Sequence, residues 1–248
     1  MTAVPILEVR AVSRSFGKFQ ALSGVNVKFQ PGELTAIIGP NGAGKSTFFN
    51  VISGGIAPTT GQVLFEGRDI TALAPHRFAR IGIAKSFQIT NVFKQLSAHE
   101  NVRVSLQMRT ARFEIFRSRR AFSELIDRAD ALLDRVSLGG SRDKLAGDLA
   151  HGQQRSLEVA MALACEPKLL LMDEPTAGMS PQETAVMMDL IRRLAAERTV
   201  ILVEHKMKMV MGLCKRLIVL HHGELLAEGN PDEIRGNAEV RRVYLGKN

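Results

Sequence analysis

The sequence predicts an α/β fold: a largely parallel sheet with a helical insertion, inside one functional domain. Three observations predict it. The runs "LLLM" (169–172) and "VILV" (200–203) are continuously apolar and flank a helical segment, as buried strands of a parallel sheet require. The glycine-rich stretch "GPNGAGKST" (39–47) stands between an apolar strand and a helix. From about Ser97 to Leu138 apolar residues recur every three or four positions, as in "AFSELIDRADALLDRV".

In chain order, "ILEVRAVSRSF", "VNVKF", "ELTAIIG" and "VLFEG" read as short strands broken by Pro31-Gly32 and Gly61. "KSTFFNVISG" is a helix that ends near Gly54-Gly55. After the helical insertion, "SLEVAMALA" keeps the helical period. Strand, helix and strand follow as "KLLLMD", "PQETAVMMDLIRRLAAE" and "TVILVEH". "RLIVLHHGELLAEG" is a hairpin turning near His222-Gly223, with short helices after it; His221 and His222 are read as surface residues.

Composition narrows the class. With 248 residues, 45% of them hydrophobic, the chain can bury a sizeable core. It holds no apolar run long enough to span a bilayer, and "MTAVPILEVR" has neither the basic start nor the apolar stretch of a signal peptide, so a cytoplasmic location is expected. The two cysteines, Cys165 and Cys214, are too few for a disulfide framework and are read as inert packing residues. A net charge of +8 suits an acidic partner, whether nucleotide, nucleic acid or an anionic membrane face, without choosing among them.

The stretch Gly39-Pro40-Asn41-Gly42-Ala43-Gly44-Lys45-Ser46-Thr47 fits a phosphate cradle. Gly42 and Gly44 let backbone N–H groups converge at a helix N-terminus. Lys45 reaches the β- and γ-phosphates of a nucleotide, and the Ser46 hydroxyl can ligate Mg²⁺. The apolar run 169–172 delivers Asp173 to the carboxyl edge of the sheet, where open α/β sheets bind ligands; it can support Mg²⁺ through a bound water. Glu174 beside it can polarise an attacking water as a general base. For either carboxylate the competing reading is the cap of a turn.

With these residues in place, the sequence resembles the ATP-binding-cassette (ABC) family along essentially its whole length. The resemblance implies a P-loop NTPase, RecA-like core with an antiparallel β subdomain and an inserted α-helical signature subdomain. It divides the single unit 1–248 into core and β subdomain (1–88 and 156–230), helical subdomain (89–155) and C-terminal tail (231–248). Phe16 in "SFGKFQAL" takes the adenine-stacking place, with a core phenylalanine as the alternative. Gln88 in "KSFQ" resembles the glutamine that senses Mg²⁺, and His205 in "LVEH" the histidine that contacts the γ-phosphate. The implied cofactors are ATP and Mg²⁺. Two cassettes sandwich two ATP molecules, each site pairing one chain's phosphate loop with the other's signature loop, here Leu149-Ala150-His151-Gly152-Gln153.

"AGMSP", "VEHKMKMVMGLCKRLIVL", "GNPDEIRGNAEVRRVYLG" and "HGQQR" look more narrowly like the LivG-type subunits of branched-chain amino acid importers; urea and amide importers carry similar segments. The resemblance implies two transmembrane permease subunits, a solute-binding protein acting indirectly, and attachment to the inner face of the membrane. "ITNVFKQLSAHENV" resembles the permease-receiving region, with Val92, Phe93 and Leu96 as apolar contacts or ordinary core. The arginine-rich "RTARFEIFRSRR" (109–120) reads as a solvated helix face or a contact to anionic lipid. ABC ATPases that act on nucleic acid or the ribosome carry paired cassettes, long coiled coils or zinc sites, and none of these is written here, so no nucleic-acid partner is expected.

Two departures from the family pattern stand out. Ser180 replaces the usual aspartate of the D-loop, yet Ser180, Pro181 and Glu183 still form a helix-capping box. In the signature loop, Ala150 and His151 replace a serine and a glycine. One hydroxyl is lost, while Gly152 and the helix N-terminus remain. His151 either donates to phosphate or simply packs. These departures suggest a non-identical, LivF-like cassette partner, with slow turnover where "LAHGQ" meets the partner's ATP.

Overall fold

The computed structural model describes residues 4–86, 92–110 and 119–245. The described residues build two sheets. A four-stranded antiparallel sheet takes β1 (Leu7–Phe16), β2 (Phe19–Phe29), β4 (Thr60–Phe65) and β5 (Arg68–Asp69) in the order β2-β1-β4-β5. A six-stranded sheet adds β3 (Leu34–Ile38), β6 (Ile83–Ser86), β7 (Leu169–Asp173), β8 (Thr199–Val203), β9 (Arg216–His221) and β10 (Glu224–Gly229) in the order β10-β9-β3-β8-β7-β6. In it β9, β3, β8, β7 and β6 run parallel, and β10 closes one edge as an antiparallel hairpin.

The three central strands β3, β8 and β7 are buried at every position, which explains their unbroken apolar runs. Because side chains alternate across a strand, each run feeds two cores. Leu169, Leu171, Ile201 and Val203 face the antiparallel sheet together with Phe48 and Phe49 of α1 (Lys45–Ile52). Leu170, Met172, Val200 and Leu202 face the helices on the other side.

Those helices include α3 (Ala98–Thr110), α4 (Arg119–Arg135), α5 (His151–Leu163) and α6 (Pro181–Ala195); the single-turn α2 (Phe78–Ile81) lies earlier, just before β6. On α4 the buried residues Leu125, Ala129 and Leu133 recur every four positions and pack with Val102 and Leu106 of α3. Helix α5 starts inside the signature loop and runs on past Arg155, so the expected boundary between residues 155 and 156 falls within one continuous helix. The chain finishes with α7 (Met207–Leu213), the hairpin, α8 (Pro231–Gly236) and α9 (Ala238–Val240).

Before α3, the turn at 93–97 is held by Asn101. Its amide is fully buried, donates to the carbonyls of Phe93 (3.1 Å), Leu96 (3.3 Å) and Ser97 (2.9 Å), and accepts the Phe93 N–H at 2.8 Å. Phe93 is left 53% exposed, while Val92 and Leu96 are half-buried. The 109–120 stretch falls largely outside the described residues. Cys214 is buried, and burial pushes its thiol up to about 12; Cys165 is half-buried beyond the end of α5.

Leu171 is fully buried in a central strand, whereas Val186 on α6 is 52% exposed. Leu171→Ala is expected to lower the unfolding free energy by about 2–5 kcal/mol in urea denaturation. Val186→Ala should change it by only about 0.5 kcal/mol.

Candidate functional site: the carboxyl edge of the parallel sheet

Strand β3 runs into the phosphate loop. Gly44 ends the loop in the left-handed region, at φ 94°, as the N-cap of α1; a Cβ there would lie 2.7 Å from the Ala21 carbonyl oxygen, so only glycine fits. Gly39 is equally constrained, since its Cβ would fall 2.2 Å from the Leu220 carbonyl oxygen. Helix α1 has no acidic residue in its first turn and no side chain capping it. Its leading N–H groups therefore favour an anion.

The Lys45 ammonium, almost buried, donates to the carbonyls of Gly39 and Pro40, both at 2.8 Å. Burial pulls its pKa down, and the nearby Glu174 charge opposes that. From the C-terminal tail, burial of the Tyr244 ring raises the phenol's pKa, and the nearby Gly39 backbone opposes that.

Two strands away, β7 ends at the buried Asp173. Burial pushes this carboxyl up, and the Lys85 ammonium on β6 is the chief opposing influence. Lys85 is itself anchored to Asn50 Oδ1 at 2.8 Å and lies 4.9 Å from the centre of the Phe49 ring. Glu174 follows with φ 45°, a conformation that strains a residue with a Cβ by about 1–3 kcal/mol. Strand β8, between β3 and β7, leads to His205, whose Nδ1 stands 3.4 Å from Glu174 Oε1. Lys45, Asp173, Glu174 and His205 thus leave the same edge of the sheet.

Phe16 closes the β1–β2 turn. It is 46% exposed, with the Arg14 guanidinium 4.6 Å from its ring centre, so the core-phenylalanine alternative is set aside. Gln88 lies outside the described residues. Ser46 and Asp173 offer hydroxyl and carboxylate oxygens, the hard donors that Mg²⁺ takes alongside waters and phosphate oxygens. Among the described residues no group of three His, Cys, Asp or Glu side chains forms a closed metal cage.

The signature loop is tied elsewhere. Ala150 is the N-cap of α5 and offers no side-chain acceptor; Gln153 Oε1 accepts the Ala150 N–H at 3.1 Å. His151 Nε2 donates to the Ala177 carbonyl at 3.2 Å, so this ring docks on the D-loop. The capping box of α6 is present: Ser180 Oγ accepts the Glu183 N–H (3.3 Å) and Glu183 Oε2 the Ser180 N–H (2.9 Å).

Sequence reasoning missed the second use of Glu183, whose Oε1 accepts the Gly152 N–H at 3.0 Å. Bonds from Ser180, then from Gly152, hold its carboxyl below the usual range. A Cβ on Gly152 would lie 2.6 Å from that oxygen. Glu204 and Thr176, joined at 2.6 Å, were missed as well. Neither pairing leaves a local signal, because the partners lie 31 and 28 residues apart.

The family model described as "ABC transporter" matches residues 22–177, and the model "Branched-chain amino acid ATP-binding cassette transporter" matches 224–248. The chain is 39% identical to the high-affinity branched-chain amino acid transport ATP-binding protein BraF of Pseudomonas aeruginosa, covering 98% of each chain. It is 38% identical to LivG of Escherichia coli, again over 98% of each. A crystal structure of the ADP conformation of an ATP-binding cassette from an ABC transporter aligns with TM-score 0.86 and 31% identity, covering 99% of this chain and 100% of the other.

The uncapped start of α5 makes a direct prediction. Ala150→Ser restores an N-cap hydroxyl and is expected to stabilise the chain by about 1 kcal/mol. That corresponds to a rise of roughly 2–4 °C in the melting midpoint, read by calorimetry.

Proposed function

This chain belongs to the ABC transporter family, and we propose that it is the ATP-hydrolysing subunit of an importer for branched-chain amino acids. Its fold is the P-loop NTPase fold of ABC cassettes, and its activity is ATP hydrolysis coupled to transport. The observation that carries the site assignment is the convergence of Lys45, Asp173, Glu174 and His205 on one sheet edge. The match of 224–248 to the branched-chain model supports the choice of solute.

In this reading the N–H groups of 42–47 and the Lys45 ammonium hold the β- and γ-phosphates, and Lys45 exchanges its loop carbonyls for phosphate oxygens. Phe16, exposed at the end of its hairpin, stacks on the adenine. Ser46 would hold Mg²⁺ directly, Asp173 through a water, with Gln88 as a further ligand by resemblance. The ion supplies charge neutralisation at the phosphates when bound. Glu174 accepts a proton from the attacking water as its oxygen bonds to the γ-phosphorus and the bond to ADP breaks. His205, beside Glu174, contacts the γ-phosphate.

The signature residues Leu149, Ala150, His151, Gly152 and Gln153 serve the ATP of a second, non-identical cassette, with Ser180 at the seam between them. Here His151 stays on the D-loop and Glu183 takes the Gly152 N–H, so the helix dipole and the other N–H groups at the start of α5 carry the contact. The cassette works on the inner membrane face against two permease subunits, with the exposed Phe93 and its turn as the apolar contact in this reading. The solute-binding protein acts through the permease. Among the described residues no helix is long and apolar enough to cross a membrane.

Glu174→Gln is expected to lower the rate of phosphate release by about 10²–10⁴-fold. ATP binding should survive, and chelating Mg²⁺ should stop hydrolysis in the unmodified chain. An unchanged rate in the variant would remove Glu174 from the mechanism. For the solute, the complex reconstituted in liposomes should take up leucine with ATP; uptake of urea or an amide instead would overturn that choice. In the same complex Ala150→Ser should raise ATP turnover, and no change would sink the idea that the missing hydroxyl limits it.

A further inference from the structure

The proposed chemistry needs Glu174 and His205 at a fixed separation, although they follow different strands. Between those strands lies a carboxylate that the mechanism does not use. Glu204 follows β8, directly before His205, and is fully buried. Its Oε1 accepts the Thr176 hydroxyl at 2.6 Å and the Thr176 N–H at 3.2 Å. Its Oε2 accepts the N–H of His205 at 3.1 Å. On the other side of His205, the Lys206 ammonium donates to the Thr176 carbonyl at 2.8 Å. Thr176, also fully buried, is therefore held at its N–H, its hydroxyl and its carbonyl by the two residues that flank His205.

We propose that Glu204 is a positioning residue for ATP hydrolysis, locking the backbone after Asp173 to the backbone of His205 so that the imidazole stays beside Glu174. This rests on the reading that Glu174 and His205 act on ATP.

The donor count explains why a carboxylate is needed. Three donors converge on two oxygens that face opposite ways, one toward Thr176 and one toward His205. A glutamine is isosteric but brings one acceptor and an NH₂ group. Whichever way its amide turns, one side loses its acceptor and meets a donor instead. A hydrophobic residue would remove the acceptor from all three donors, leaving the Thr176 hydroxyl only Met209 Sδ at 3.6 Å. The clamp reaches the third element too, since the Glu204 N–H meets the Ile37 carbonyl of β3 at 3.4 Å, two residues before Gly39. Thr176 itself sits two residues after Glu174, so a shift at Thr176 is carried almost directly to the catalytic carboxylate.

The test compares E204Q, T176V and T176S in the full chain assembled with its second cassette and permease subunits, with nucleotide affinity and steady-state hydrolysis measured separately. The phosphate loop is untouched in all three. ATP affinity is expected to stay within about twofold of the parent while kcat falls roughly 10–100-fold in E204Q and T176V, the penalty of a small misplacement of reacting groups. T176S keeps the hydroxyl and should recover kcat to within about threefold.

A second readout does not depend on turnover. In ¹⁵N-histidine-labelled chain, E174Q should shift the His205 ring signals, and that response should vanish in the E204Q background. Unchanged kcat in E204Q, or a parallel loss of affinity and thermal stability in both E204Q and T176V, would overturn the positioning role. Failure of the underlying reading looks different: E174Q and H205A would then hydrolyse ATP at the parent rate whatever stands at 204.

Discussion

The register of three parallel strands governs the site. Val203 of β8 is level with Ile37 of β3 on one side and with Asp173 of β7 on the other. The chain therefore leaves the sheet at one height in three places: into the phosphate loop, into Glu174 and into Glu204-His205. Because alternate residues of each strand feed opposite cores, a slip of one residue would invert both cores at once. It would also displace the emerging side chain by about 3.3 Å along the strand. The apolar packing that stabilises the sheet thus aligns the polar groups at its edge, though it contacts none of them.

At that edge the protein accepts local cost. Gly39 and Gly44 admit no side chain, Glu174 holds a left-handed backbone, and Lys45 and Asp173 are charged groups partly stripped of water. Each departs from what maximises stability, and they cluster where a triphosphate would be gripped. The buried hydrogen bonds of Thr176 and Glu204 fit the same logic: strained or desolvated groups persist only where neighbours over-determine them.

Much of this was legible in the sequence because it is written in local patterns. The glycine spacing of 39–47, the apolar runs before Asp173 and His205, and the Ser180–Glu183 box all depend on neighbours within a few residues. The strand β6 was not read, since "IAKS" is four residues long and carries a lysine that turns out to serve the Asp173 neighbourhood. Helix α7 has no sequence signal of its own beyond the family-like segment that contains it. Residues whose meaning depends on a distant partner stayed silent: Glu204 looked like the end of a strand, and Glu183 like half of one cap. The sequence allows His151 two roles, and its bond to Ala177 shows which neighbour it has in this chain.

Glu183 and Gly152 also set terms for inheritance. One carboxylate serves the start of α6 with Oε2 and the start of α5 with Oε1, and Oε1 occupies the space of a Cβ at 152. A larger residue at 152 must push the Glu183 carboxylate aside, which breaks its bond to the α5 start and disturbs the cap it forms on α6. A chimaera that imports a signature loop from another cassette keeps this bond when the loop carries glycine at 152, and otherwise is better matched by its own D-loop. Between homologues, the two segments should be exchanged as a single unit, although His151 and Ala177 lie 26 positions apart.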